Sequence, residues 1–356
     1  MGAQRTALIL LLILCLVISS FPAVSADVDF WTTLEPVPTA ESGLGACVVD
    51  GKIYVMGTKV NYVYDPTTNT WATREEPMPT SRGATAVAVY QNKIFVIGGY
   101  LADGSSSNAN EVYDPATGTW ENMEQMPTNR AQLEANVVNG KIYLIAGRRG
   151  GPQSTVTLNE VYDIETDTWT TKEPIPYPVV QYASAVVDNK IYVMGGQNEY
   201  HKQGTPINVD LNQIYDTETD TWSFGASLPV TVWNAAAGAT TGIMAPKRIY
   251  VIGGTPYSAL DATKINQVYD PEHDRWSSGA SMPTARAWLS VVVVDDLLYV
   301  MGGSPGLMLQ SLNTNENYTP VGYIPEFPSW LILPLFLTIT LAGIVVKKKA
   351  VLSTMK

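Results

Sequence analysis

Few side chains in this chain could do covalent or metal chemistry, and they are scattered. There are two histidines, His201 and His273, and two cysteines, Cys15 and Cys47. A zinc or copper centre needs several His or Cys ligands converging at once, and this inventory is too thin for one. No Gly-x-Ser-x-Gly elbow, His-Glu-x-x-His pair or phosphate-cradling glycine loop occurs. His273 stands in the polar turn before Trp276 and reads as solvated. His201 lies in the long loop Gln197 to Leu211 and reads as a loop residue or a ligand contact. Cys47, on an alternating apolar stretch, reads as a small buried residue rather than a nucleophile. The sequence therefore points to no metal, no cofactor and no catalytic residues. The chemistry left is recognition by arginines and aromatic rings.

The elements that would position such residues come from one recurring phrase: a tyrosine, an acidic turn, then tryptophan. It runs from Tyr64-Asp65-Pro66 to Trp71, Tyr113-Asp114-Pro115 to Trp120, Tyr162-Asp163 to Trp169, Tyr215-Asp216 to Trp222 and Tyr269-Asp270-Pro271 to Trp276. The period of about 49 to 54 residues signals stacked β units. Residues 80–126 show one unit. A proline-bearing loop leads to a strand from Ala84 to Tyr90, then a tight turn at Gln91-Asn92-Lys93. A second strand, Ile94 to Ile97, ends in Gly98-Gly99. After a polar loop come Asn110 to Tyr113 and Thr119 to Met123. The tight turn is Asp50-Gly51 and Asn139-Gly140 in other units, the residues that two-residue hairpins prefer.

The double glycine after an apolar strand recurs at Gly195-Gly196, Gly253-Gly254 and Gly302-Gly303, with Gly57-Thr58 and Ala146-Gly147 as departures. With the tyrosine-acid turn and the spaced Trp, it resembles the kelch repeat over roughly residues 30–319. The resemblance implies an all-β propeller, one repeat to a blade. The sixth repeat runs from Thr284-Ala285-Arg286 through Gly302-Gly303 to Glu316-Asn317-Tyr318 and stops without its Trp. Trp31, in Asp29 to Leu34, supplies it from the other end of the chain. The expectation is six blades, closed by an N-terminal strand.

Both ends read as addresses. Residues 1–26 have Arg5, an apolar run and Val24-Ser25-Ala26, the order of a signal peptide. A stalk at 320–330 holds Pro325-Glu326-Phe327, followed by an apolar segment at 331–346 and a basic tail at 347–356 with Lys347-Lys348-Lys349. That segment reads as a transmembrane helix with its C-terminus inside. The order also resembles the PEF-CTERM sorting signal of archaeal surface proteins, which implies a sortase-type processing enzyme; a plain C-terminal anchor is the other reading. Either places 27–319 on the cell surface. Formal net charge is −11, and without Arg5 and the four C-terminal lysines 17 basic residues face 33 acidic ones. Such a body repels nucleic acid and anionic lipid.

The kelch resemblance implies that the loop entering each inner strand and the loop after each double glycine share one end of the channel. The first set carries Arg82, Arg130, Tyr177, Gln181, Trp233, Asn234, Arg286 and Trp288; the second carries Tyr100, Arg148, Arg149, Tyr200, His201 and Tyr257. Arg82, Arg130 and Arg286 follow a Met-Pro-Thr turn and read either as scaffold braces or as ligand contacts. The leading expectation is a cell-surface recognition or scaffold protein that binds an extracellular protein or glycan through this face. A sugar-active enzyme is the alternative, since sialic-acid mutarotases resemble this chain in their six kelch blades and need an arginine and an acid in the channel. Glu134 is the candidate acid, or else an outward strand residue. An architectural spacer is the third reading.

Overall fold

The computed structural model describes residues 29–325, except 57–60, 75, 151–153, 199–206, 257–260 and 307–309. The leader, the segment 331–346 and the basic tail lie outside the described residues. Six four-stranded antiparallel sheets form the blades, five in chain order from the channel outward and the sixth with its outer strand taken from the N-terminus. Blade 2 is Ala86–Tyr90, Lys93–Ile97, Asn110–Asp114 and Thr119–Asn122. Its inner strand starts two residues later than the sequence pattern implies, because Ala84 has φ 50° and cannot continue an extended strand. The inner strands of blades 1 and 3 to 6 are Gly45–Val49, Ala135–Val138, Ala183–Val187, Ala236–Ala239 and Ser290–Val294. Each touches the next, and the last touches the first, so the ring is closed.

Closure uses the N-terminus as expected. Phe30–Thr33 pairs with Asn315–Thr319 as the outer strand of blade 6, in the register Trp31 to Tyr318. This removes the edge that an open array would leave. Residues 29–321 make up the compact unit so formed. Asn317-Tyr318-Thr319, a glycosylation triplet that would suit a surface loop, lies inside this sheet, with partners on both sides.

The recurring tryptophan joins blades. In all six, the Trp ring leans on the tyrosine of its own phrase, with centroids 4.9 to 5.1 Å apart. Its indole N–H donates to a carbonyl of the preceding blade: Trp71 to Glu35, Trp120 to Glu76, Trp169 to Glu124, Trp222 to Glu173, Trp276 to Ala226 and Trp31 to Ala280. The turn acid adds a second tie. Asp167 Oδ1 accepts from the Tyr162 hydroxyl and from the Glu124 N–H of the blade before, and Asp220 and Asp274 do the same. In blade 6 the N-terminal Asp29 takes this place, accepting from Ala280 N–H. His273 stands one residue before the turn acid, in the place of Thr68, Thr117, Thr166 and Thr219.

The double glycine has a steric reason. A Cβ on Gly99 would lie 2.7 Å from Gly83 O, and one on Gly98 2.5 Å from Arg130 O. Gly99 N–H donates to Arg130 O of the next blade at 2.9 Å. A residue without a side chain makes that approach at positive φ without strain, and in blade 3 Ala146 takes the first position at φ 53°.

Candidate binding site at the channel mouth

The two sets of loops do share one end of the ring. The loop entering the inner strand pairs with the loop after the double glycine at Gly83 with Tyr100, Ala131 with Arg148, Val180 with Gln197, Trp233 with Thr255 and Ala287 with Ser304.

Three of the candidate ligand contacts are withdrawn by their geometry. Arg82, Arg130 and Arg286 have fully buried side chains, paired with Glu111, Glu160 and Glu316 at 2.6, 2.8 and 2.6 Å. Arg82 also donates to the carbonyls of Gly98, Ala109 and Val96, and the threonine two residues before it donates to Glu111. The other blades show the pair changing as a unit. In blades 4 and 5, Val179 and Val232 take the arginine's place, and Gln213 and Gln267 take the glutamate's. Each glutamine clasps the backbone of the turn, accepting from Tyr177 or Val230 N–H and donating to the same residue's carbonyl. In blade 1 Thr39 and Tyr62 share a 2.6 Å hydroxyl contact there. A buried guanidinium with its hydrogen bonds spent inside its own blade holds the loop and does not reach a ligand.

Tyr177 is part of the same brace. Its backbone is clasped by Gln213, and its ring packs on the apolar cluster between blades 3 and 4. Arg149 is exposed, while Arg148 is half-buried, with its backbone paired to Ala131 and Thr155. Tyr200, His201 and Tyr257 lie outside the described residues.

Two residues after the arginine place, every blade has a residue with left-handed backbone: Gly43, Ala84, Gln132, Gln181, Asn234 and Trp288, with φ from 50° to 69°. They form a ring around the axis. Gln181 N–H donates to Gln132 O, Asn234 N–H to Gln181 O, Trp288 N–H to Asn234 O, and Gly43 N–H to Trp288 O. Left-handed φ is costly for a residue as bulky as tryptophan. Trp288 is held there by this ring, and its indole lies edge-on to Trp233 with centroids 6.4 Å apart.

The ring and the residues just below it line a half-open chamber of about 80 Å³, with residues from all six blades. Glu134 stands in that wall, which assigns it to the channel rather than the outside of a strand. The residue is exposed, and its carboxylate has no partner among the described residues. Burial away from bulk solvent pushes its pKa up to about 7. The side chain is open to water yet surrounded by the channel walls, so it is accessible and poorly solvated at once. Among the described residues the wall includes no arginine, and Arg130 of the same blade is turned to Glu160. Gln132 was not legible as a site residue from the loop composition. Its signal is positional, two residues past the arginine place in every repeat.

Elsewhere, Asp270, Glu272 and His273 bring three ligand atoms together on the surface. Asp270 already pairs with Arg248 at 3.0 Å and Arg275 at 3.5 Å, so cations of the protein occupy the place of a metal. Cys47 is a buried free thiol, and burial holds it far above the usual thiol range.

Residues 48–313 match the family described as the Attractin/LZTR1 beta-propeller. The chain is 35% identical over 89 residues to Kelch-like protein 35 of Mus musculus, covering 25% of this chain and 14% of that protein. It is 32% identical over 129 residues to Kelch-like protein terF of Aspergillus terreus, covering 34% and 25%. The matched stretches thus span a quarter or less of these relatives. The solved structure of YjhT superposes with a TM-score of 0.68 over 80% of this chain and 96% of that one, at 16% identity, a likeness of fold alone. With six kelch-type blades and a family match across most of its length, the chain belongs to the Attractin/LZTR1 β-propeller family.

Proposed function

We propose that this protein is a non-catalytic recognition and scaffold domain on the cell exterior, anchored through 331–346, which binds an extracellular protein or glycan at the channel mouth. The observation that carries this reading is the walled chamber under a six-residue ring, with the Trp233–Trp288 pair in the ring region and Arg149 exposed on the adjoining loop. Planar aromatic and guanidinium groups around a concave mouth are the features that concentrate binding energy. The kelch-like relatives support a scaffold role. The sugar-isomerase alternative calls for an arginine beside the acid, and the nearest one, Arg130, has its side chain inside the blade.

The test is a screen of the purified chain against arrays of glycans and cell-surface proteins, repeated with Trp233→Ala and Arg149→Ala. A partner whose binding falls at least tenfold in both variants supports the reading. A partner bound equally by wild type and both variants removes the mouth from the function.

A further inference from the structure

We propose that the chamber beneath the ring is a binding site for a primary ammonium group, with Glu134 as its counter-ion. This rests on the reading of the mouth as a recognition surface and names the chemistry it takes.

The six repeats supply the first argument. Two residues past the ring position, the other blades carry Gly45, Ala86, Ala183, Ala236 and Ser290, all small. Blade 3 alone carries an acid there. Ala86 and Ala183 are buried in the apolar clusters between blades, whereas Glu134 reaches the wall of the chamber and is its one charged group among the described residues. The other ionisable wall residue is Tyr182, whose buried hydroxyl contacts Ile145 O at 2.5 Å and ionises far above neutrality. Of the protein's own cations, the closest in sequence, Arg130, is spent on Glu160.

The second argument is unspent hydrogen-bonding capacity. Gln132 and Gln181 line the chamber, and their Oε1 atoms bond to nothing among the described residues but are closed to solvent, so each meets a ligand only after its side chain rotates. A buried acceptor without a donor is costly, and a donor brought to it is favourable. An alkylammonium carries three N–H donors and no acceptor. The Glu134 carboxylate, with the two amide oxygens rotated inward, matches that count. Asn234, only 6% exposed, has an unpartnered Nδ2 in the same wall, left for a water or a carbonyl beside the head group. The Trp288 ring adds an aromatic face to the wall, which favours a cation over a neutral hydroxyl. A chamber of about 80 Å³ holds on the order of five waters, or a head group of a few heavy atoms. A carboxyl of pKa about 7 without a partner is also what a counter-ion site looks like while its cation is absent.

The experiment titrates propylammonium chloride into the purified full chain by calorimetry at pH 8 and pH 6, with sodium chloride and tetraethylammonium chloride as controls. The wild type should bind propylammonium saturably. Affinity should fall by about tenfold per pH unit below the carboxyl's pKa, since one proton must leave for one cation to enter. Tetraethylammonium should be excluded by size. Glu134→Gln should lose at least tenfold at pH 8 and lose the pH dependence. Glu134→Ala restores the residue of blades 2, 4 and 5, so it should fold and melt no lower than wild type at pH 8 while failing to bind. N-acetyl-lysine methylamide distinguishes sources: tighter binding than propylammonium assigns the site to a partner's lysine, and equal binding to the amine head alone. Absence of saturable binding, equal binding by Glu134→Gln, or equal binding of sodium overturns the proposal. Amine binding that survives in a protein with no macromolecular partner would sink only the recognition reading.

Discussion

The buried Arg82–Glu111 pair can be tested against a solution the protein already uses in two other blades. Arg82→Val leaves Glu111 as a buried carboxylate facing Thr80 alone, and strips donors from Gly98, Ala109 and Val96 carbonyls. Breaking one side of such a pair costs about 3–5 kcal/mol. Glu111→Gln alone leaves the guanidinium unpaired, with a cost of the same order. The double variant Arg82→Val/Glu111→Gln installs the Val179–Gln213 arrangement of blade 4, in which the amide bonds the turn backbone in both directions at 2.9 Å. It should lie within about 1–2 kcal/mol of wild type, because replacing both members of a buried pair is often near neutral. The coupling between the two sites is then several kcal/mol, well above the few tenths expected of independent sites. Urea denaturation of the four proteins measures it, and the single variants should also melt roughly 10 °C lower. A double variant no more stable than Arg82→Val would refute the paired-brace account. A double variant that is stable but has lost a partner bound by wild type would return Arg82 to the binding face.

The closure strand should be energetically equal to an ordinary outer strand. Trp31→Ala and Trp169→Ala each remove one interblade hydrogen bond and one ring stacked on tyrosine, so both should cost about 3–5 kcal/mol in denaturant titrations. A Trp31→Ala cost below about 1 kcal/mol would mean that the strand from the N-terminus does not hold the ring shut. At the opposite end of the channel, Asp296 in the tight turn of blade 6 accepts from the N–H groups of Thr241, Met244 and Ala245 in a long blade 5 loop. Burial works to raise its pKa, but these donors outweigh it and the net shift is downward. A depressed folded pKa gives stability that is complete above the unfolded value near 3.9 and lost as pH falls through the folded value. Asp296→Asn should therefore cost about 1–3 kcal/mol at pH 7, and the gap from wild type should narrow in melts taken toward pH 2.

Blade number, closure and the double glycines were legible in the sequence because each is fixed by a backbone need that recurs. Trp31 counted against Tyr318 gives the closing strand before any coordinates. The role of the arginines was not legible in the same way. A buried Arg82 and an exposed Arg149 are the same letter, and both lie beside the mouth in sequence. What separates them is the exchange of Arg and Glu for Val and Gln, at spacings of 29 to 35 residues that loop length blurs. Tyr177 misleads for the same cause, since it replaces a threonine of the brace. Glu134 stands just before the strand Ala135–Val138, so its alternation does not say which side Glu134 faces.

Six copies of one blade make each repeat a control for the others, and this separates architecture from function more firmly than residue type does. Positions that hold the ring together repeat their chemistry: the Trp to the preceding carbonyl, the left-handed residue at the axis, the brace as Arg–Glu or Val–Gln. Selection for stability alone would keep the axial positions small, as Gly43 and Ala84 are, and would keep Ala or Gly where Glu134 stands. Blade 3 instead places an acid where water cannot fully solvate it, and blade 6 places tryptophan on a backbone conformation that disfavours it. Both departures cost stability, and both face the same chamber. Costs that converge on one cavity, from blades far apart in the chain, are what the proposed binding role predicts and what a purely architectural ring does not.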